Sequence, residues 1–294
     1  MKLIHTFSLF MPVIALTAVS CSREIPQETP GLITVTASID NYAKASVVDF
    51  EEGDNIGLYI FSQNETLAEN IIGTKQSDGS FDIQRVYWPE SGSIDILAYY
   101  PWYSWGTEYN DPQVIFHTIY ADQSNALDFE YSDLMTASAI NVTDTERPVH
   151  LVFKHAMSLV DIKLIPGEGL TLEDLEYAKV TIPSMPTQCY ADIVTGEISE
   201  YPWGQSSDIT PHGNSPAIVN GELPPMSAVL VPQTIPAGTE LLKISTGNMV
   251  SGVDSYSYIT PEDITLVSGY RYQMEITLVP ASVSATARMS VSPR

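Results

Sequence analysis

The side chains able to do chemistry are numerous, but their spacing matches no common catalytic or metal-binding pattern. The five histidines are His5, His117, His150, His155 and His212. His150 and His155 are five apart and would face opposite sides of one extended strand, so they do not form a ligand pair. No CxxC, HExxH or EF-hand spacing occurs, and no metal site is expected. The nucleophile spacing Gly-x-Ser-x-Gly and Gly-rich phosphate loops are also missing. Asp and Glu total 36, so pairs resembling a glycosidase dyad arise by chance and none is singled out. The expectation is a protein that is not an enzyme, with no catalytic residue and no cofactor.

Two other kinds of chemistry remain. One is acylation. Within residues 1–20, Lys2 gives a basic start, an apolar run covers 9–19, and Ala18-Val19-Ser20 puts small residues before Cys21. The run is too short to span a bilayer. It reads as a bacterial lipoprotein signal peptide, with cleavage before Cys21 and lipid on its thiol; the alternative is an ordinary secretory signal with an incidental cysteine. With Cys21 lipidated, Cys189 has no partner, no disulfide is expected, and Cys189 reads as a small buried hydrophobe. The second kind is stacking. Trp88, Tyr99, Tyr100, Trp102, Tyr103 and Trp105 cluster in sequence. Exposed rings there would offer a sugar platform, with Trp102 and Trp105 as candidate ligand contacts; rings turned inward would only pack.

The elements that would position these groups read as strands. With 294 residues and a globular composition, two domains are expected. No long segment has a 3.6-residue apolar period. Short apolar or alternating runs at 32–39, 56–61, 81–88, 94–100, 114–120, 149–153, 159–165, 179–182, 190–194, 228–231, 240–246, 256–259 and 270–278 predict strands, punctuated by turns. This argues for β-sandwiches. Asp133 to Ala137 reads as irregular, and Thr171-Leu172-Glu173-Asp174 as the cap of one helical turn. The polar, Pro-bearing stretch 141–148 is the best boundary, giving a signal peptide at 1–20 and domains at 21–147 and 148–294. The net charge of −23 excludes nucleic acid and anionic membrane surfaces as partners, since clustered cations are needed to neutralise phosphates. Membrane attachment would come only through the lipid on Cys21.

Two strands near the ends share one pattern. Ile33, Val35, Ala37 and Ile39 alternate with polar residues, as do Ala281, Val283, Ala285, Ala287, Met289 and Val291. Each has one face for a core and one for water. They could compete for one groove, or the second could be the last strand of its own domain.

Several motifs follow one another along the chain. Ala18-Val19-Ser20-Cys21 is followed by Lys44-Ala45, Phe50-x-x-Gly53-Asp54 and Ile56-Gly57-Leu58-Tyr59. Trp88-Pro89-x-x-Gly92 leads to Asp95-Ile96-Leu97-Ala98-Tyr99-Tyr100-Pro101. Asp133-Leu134-Met135-x-Ala137 precedes Leu151-x-Phe153-x-His155-Ala156-Met157. Val231-Pro232-Gln233-Thr234 precedes Ser268-Gly269-Tyr270-x-Tyr272. In this order the chain resembles the fimbrillin family, the pilus subunits and related lipoproteins of Bacteroidetes. The resemblance implies an all-β fold of two tandem transthyretin-like β-sandwich domains, export to the outer membrane as a lipoprotein, and a structural or adhesive role in a surface fimbria. It also implies that a protease cuts in the loop after the first strand, here between Lys44 and Ala45. The groove thus opened is filled by a neighbouring subunit's strand, with the C-terminal strand as donor. Lys44 stands where the family usually carries Arg, which argues against an Arg-specific protease. The partners implied are other pilus subunits and a host or bacterial surface glycan or protein. The runner-up reading is a surface glycan-binding β-sandwich lipoprotein.

Overall fold

The computed structural model describes residues 31–40, 49–63, 65–108, 111–145, 147–250, 253–279 and 284–294. The chain begins with β1 (Val35–Ile39), β2 (Asn55–Ser62), β3 (Thr66–Lys75), β4 (Ser80–Ile83), β5 (Ile94–Tyr100), β6 (Thr107–Glu108) and β7 (Asp111–Thr118). Helix α1 (Ala126–Tyr131), β8 (Met135–Val142), β9 (Val149–His155), β10 (Ser158–Pro166) and helix α2 (Leu172–Leu175) follow. Next come β11 (Lys179–Pro186), β12 (Gln188–Asp192), β13 (Ile198–Glu200), β14 (Ser206–Ile209), β15 (Met226–Leu230) and β16 (Gln233–Ile235). The last strands are β17 (Glu240–Val250), β18 (Val253–Ile259), β19 (Ile264–Leu266), β20 (Tyr270–Val279) and β21 (Ser284–Pro293). The fold is all-β.

The first sheet runs β1-β4-β3-β2-β5-β8-β9 and closes on itself through parallel pairing of β1 with β9. The ring of pairings buries Ile56, Leu58, Ile60, Ile96, Leu151 and Phe153 inside. Phe50 anchors this core edge-on to Phe81, Tyr100 and Phe153, with ring centroids 5.5, 5.5 and 5.0 Å away. The second system is an eight-stranded sheet, β14-β11-β17-β18-β21-β20-β10-β15. A four-stranded sheet, β13-β12-β7-β6, joins strands from both halves of the chain.

Packing against this shared sheet explains why β2 and β5 read as near-continuous apolar runs. Ile56, Leu58 and Ile60 face the closed sheet's interior, whereas Tyr59, Leu97 and Tyr99 pack into the second core with Ile115. Strands covered on both faces lose polar alternation. Gly57 completes the fit, because a Cβ there would stand 2.2 Å from the Tyr99 ring.

Several boundaries differ from the sequence expectation. The strand expected over 81–88 stops at Ile83; Val86 and Trp88 instead pair with the chain leading into β1, with Ile33 N–H donating to Val86 O at 2.8 Å. The segment expected to be irregular enters β8 at Met135. A bulge against β5 turns Ile140 outward, and Asn141 has φ +59, so no clean period marks this strand. Strand β3 has no counterpart among the expected strands: Asn70 at φ +46 and two register shifts against β2 break its alternation. The division expected at 147/148 separates β8 from β9, two strands of one closed sheet. The capped turn at Thr171 is present, with its N–H donating to the Asp174 carboxylate at 2.8 Å.

Candidate strand-exchange site and aromatic cleft

Strand β1 lies in the closed sheet. Ile33, Val35 and Ala37 are buried in the first core, and Ile39 packs partly buried against it. All five β1 residues pair in parallel with β9, from Val35 opposite Val149 to Ile39 opposite Phe153. On the outer face the His150 ring bridges Thr36 Oγ1 and Ser38 Oγ, each at 3.0 Å. On its other side β1 pairs with β4 at two positions only. Each fully buried Val or Ile contributes about 1.5–3 kcal/mol, so β1 is a substantial part of this core.

Strand β21 lies in the eight-stranded sheet, antiparallel to β20 along its whole length, from Ser284 opposite Val279 to Pro293 opposite Tyr270. On the other side, among the described residues, β18 meets it at a single register pair, Ser257 with Ser284. The apolar face therefore emerges progressively. Ala285 is buried and Ala287 partly buried, but Met289 is 38 % and Val291 50 % exposed. Cys21, Lys44, Ala45, Ala281 and Val283 lie outside the described residues.

The two strands end at one junction. A cleft of about 450 Å³ is lined by Ile39 and Asp49, which flank residues 41–48, and by Pro293 and Arg294 at the end of β21. Arg294 reaches the turn before β8 and donates to both Asp133 oxygens, at 3.0 and 2.5 Å. His155, closing β9, lies 2.9 Å from Asp133 Oδ2. Burial by itself would raise the Asp133 pKa; Arg294 and His155 overcome it and hold the carboxyl well below its usual range. Nearby, Asp161 accepts from Ser227 Oγ at 2.7 Å and pairs with Arg271. Sequence reasoning missed this cluster, because its members lie far apart along the chain.

The aromatic segment divides its rings. Trp88, Tyr99 and Tyr100 are buried, Trp102 and Tyr103 are partly buried against the second core, and Trp105 is 63 % exposed. Trp105 stacks on Tyr103, with centroids 4.7 Å apart and planes 6° from parallel. A chain of hydrogen bonds fixes the stack. Tyr99 Oη donates to Asn70 Oδ1 at 2.7 Å and accepts from the Tyr103 N–H at 3.2 Å. His117 Nε2–H donates to Ser132 O at 2.9 Å, leaving Nδ1 to accept from the Tyr103 hydroxyl at 2.8 Å. Burial pushes the His117 pKa down to about 4, against the Ser132 hydrogen bond, which raises it. Cys189 is buried in the second core, and burial pushes its thiol up to about 12. Among the described residues no group of three His, Cys, Asp or Glu could hold a metal ion, and no helix is long and apolar enough to cross a membrane.

A family profile described as fimbrillin-like matches residues 43–293. The fold is similar to that of a Bacteroides uniformis protein provisionally described as a cell adhesion protein. The two share 22 % identity over 90 % of this chain and 98 % of that one, at a TM-score of 0.67. A Bacteroides ovatus protein with the same provisional description shares 20 % identity over the same fractions, at a TM-score of 0.69. The tip fimbrial protein Mfa3 of Porphyromonas gingivalis, truncated at its C-terminus, shares 11 % identity over 90 % of this chain and 98 % of that one, at a TM-score of 0.53. No curated protein sequence matches the chain.

Proposed function

We propose, from the premise that this chain belongs to the fimbrillin-like family, that it is a subunit of a surface pilus joined to its neighbours by β-strand exchange. That family consists of structural pilus subunits and not enzymes. The observation carrying the exchange reading is the contrast between β1 and β21. Removing β1 would unpair β9 along five residues and open a trough lined by the core that Ile33, Val35 and Ala37 now fill. Strand β21 has the same alternation, an edge that among the described residues meets β18 at one register pair, and an apolar face that is half uncovered at Val291. A strand of that pattern inserted beside β9 would restore backbone pairing and burial together, as in β-augmentation. In this reading the cut falls between Lys44 and Ala45. Export as a lipoprotein on Cys21 would place the subunit at the outer membrane before assembly, and a surface glycan or protein would be the target of any adhesive role. Two tandem domains would divide after His155, where the first closed sheet ends.

Digestion of the purified protein with a lysine-cleaving protease tests the reading. Mass spectrometry should locate a cut between residues 41 and 49, followed by ladders or filaments. A protein that keeps this segment intact and stays monomeric overturns it. For lipidation, Cys21→Ala should release the protein from membranes and abolish fatty-acid labelling; unchanged labelling refutes the anchor.

A further inference from the structure

A second cleft, of about 340 Å³, adjoins the one at the β1–β21 junction and shares Asp54, Tyr100 and Glu130 with it. Its remaining walls come from Gly53 and Asn55 beside Asp54, from the 101–105 segment, from Tyr120 after β7, and from α1, which contributes Leu127 and Tyr131. Among the described residues no Lys, Arg or His lines it, but the two carboxylates do. From this geometry we infer that the cleft receives the lysine or arginine side chain of a partner protein.

Among the described residues, one oxygen of each carboxylate accepts a hydrogen bond. Glu130 accepts from the Tyr100 hydroxyl through one oxygen. Asp54 accepts from the Glu51 N–H through Oδ2 at 2.7 Å. Neither carboxylate belongs to an ion pair among the described residues. The nearby cations are engaged elsewhere. Arg271 and Arg294, in the adjoining cleft, are paired with Asp161 and Asp133. Lys75, whose charge Asp54 senses, donates from Nζ to Gly79 O at 3.3 Å and lies 5.2 Å from the Phe81 ring centre. Burial first, then the charges of Glu130 and Glu51, raise the Asp54 pKa. Two like charges facing one cleft, in a chain of net charge −23, make a potential that a cation relieves.

The rings supply the rest of the recognition. A guanidinium or ammonium is attracted to aromatic faces, by about 0.5–1 kcal/mol when exposed and about 2 when desolvated. Here the Trp105–Tyr103 stack is fixed in advance by the Tyr99–Asn70 and Tyr103–His117–Ser132 hydrogen bonds, which lowers the ordering cost of binding. The rim is apolar and wider than an ammonium group: Trp105, Tyr120, Leu127 and Tyr131 are all exposed. That rim suits the methylene stem of Lys or Arg together with apolar neighbours in a polypeptide, and it is larger than a small free amine needs.

The test uses three acetylated, amidated pentapeptides, Gly-Leu-X-Leu-Gly, with X as lysine, arginine or norleucine, titrated into the full-length protein at low salt. Binding is read from tryptophan fluorescence and from NMR shifts. The lysine or arginine peptide should bind at least about tenfold more tightly than the norleucine one. Glu130→Gln and Trp105→Ala should each weaken binding by about tenfold, and both sit on exposed side chains whose change leaves the melting temperature near that of the parent. Equal binding of the norleucine peptide, no binding at about 5 mM, or indifference to both substitutions overturns the inference. Spermidine binding as tightly as the peptides also overturns it, in favour of a small-amine site. So does tighter binding of a glycan, in favour of a sugar platform. None of these outcomes bears on strand exchange, which is read by protease cutting and filament formation.

Discussion

Arg294 and Asp133 form a two-pronged, largely buried ion pair, 3.0 and 2.5 Å, that ties the residue following β21 to the turn preceding β8. The pair links the eight-stranded sheet, which holds β21, to the closed sheet, which holds β8. It holds one end of the strand whose outer edge, among the described residues, meets β18 at a single register pair.

Breaking that pair from one side should be costly. Arg294→Met leaves Asp133 buried with only His155 beside it, and losses on removing one partner of a buried pair run about 3–5 kcal/mol. Asp133→Asn combined with Arg294→Met should cost less than the two single losses summed. Urea unfolding of the four proteins in a double-mutant cycle checks this, and hydrogen exchange should show faster opening of β21 in each variant.

The same pair has a pH signature. The folded pKa of Asp133 lies below its unfolded value, so its contribution is complete above the ordinary carboxylate range. It is lost as pH falls through the folded value. Acid unfolding below about pH 4 should therefore be steeper in the parent than in Asp133→Asn. Superimposable acid curves would show that the pair carries no net stability.

His117 acts in a higher pH window. It is fully buried and neutral, with its pKa lowered to about 4 from 6.5. As pH falls from 6.5 towards 4, the unfolded chain takes up a proton that the folded chain refuses, so stability falls. The loss should be on the order of 3 kcal/mol across that window. His117→Phe should be less stable at about pH 7.5, because it orphans Tyr103 Oη and Ser132 O, but should show a flatter dependence between about pH 7.5 and 4.5 in urea titrations.

Aspartate at Val35 and at Val291 should behave differently although both residues belong to the same kind of alternating strand. Val35 is wholly buried, so Val35→Asp places a carboxylate in the closed sheet and should cost more than about 4 kcal/mol. Val291 is half exposed, so Val291→Asp should change monomer stability by less than about 1 kcal/mol. If β21 is the donor, Val291→Asp monomers should nevertheless fail to form ladders after protease treatment. Normal ladders would place the donor strand elsewhere.

Cys189 should be inert. Its thiol is pushed up to about 12 by burial, and the thiolate is the reactive form. In Cys21→Ser protein, a disulfide reagent at about pH 8 should label Cys189 only after denaturant is added.

Much of the strand content was legible because period-two alternation survives wherever one face meets a core. Val35 and Ala37 point inward as their spacing requires, and Thr36 and Ser38 outward to His150. Legibility failed at β3 and β8, where Asn70 and Asn141 adopt positive φ and bulges shift the register. The aromatic cluster was visible as a cluster, yet Trp102 and Trp105 are divided between core and surface by neighbours distant in sequence. Asp54 and Glu130 carried no local signal, because isolated carboxylates are common in so acidic a chain.

By itself, then, the sequence determined the all-β class, the amphipathic faces of β1 and β21, and the lack of spaced catalytic motifs, since these depend on residues near one another along the chain. Only the tertiary structure decided that β1 closes its sheet against β9, that β21 pairs with β20 and, among the described residues, meets β18 at one register pair, and that Arg294 meets Asp133. No local period encodes which distant strand supplies a partner or where an edge is left open, because alternation fixes a strand's faces and leaves its neighbours to the packing of the whole chain.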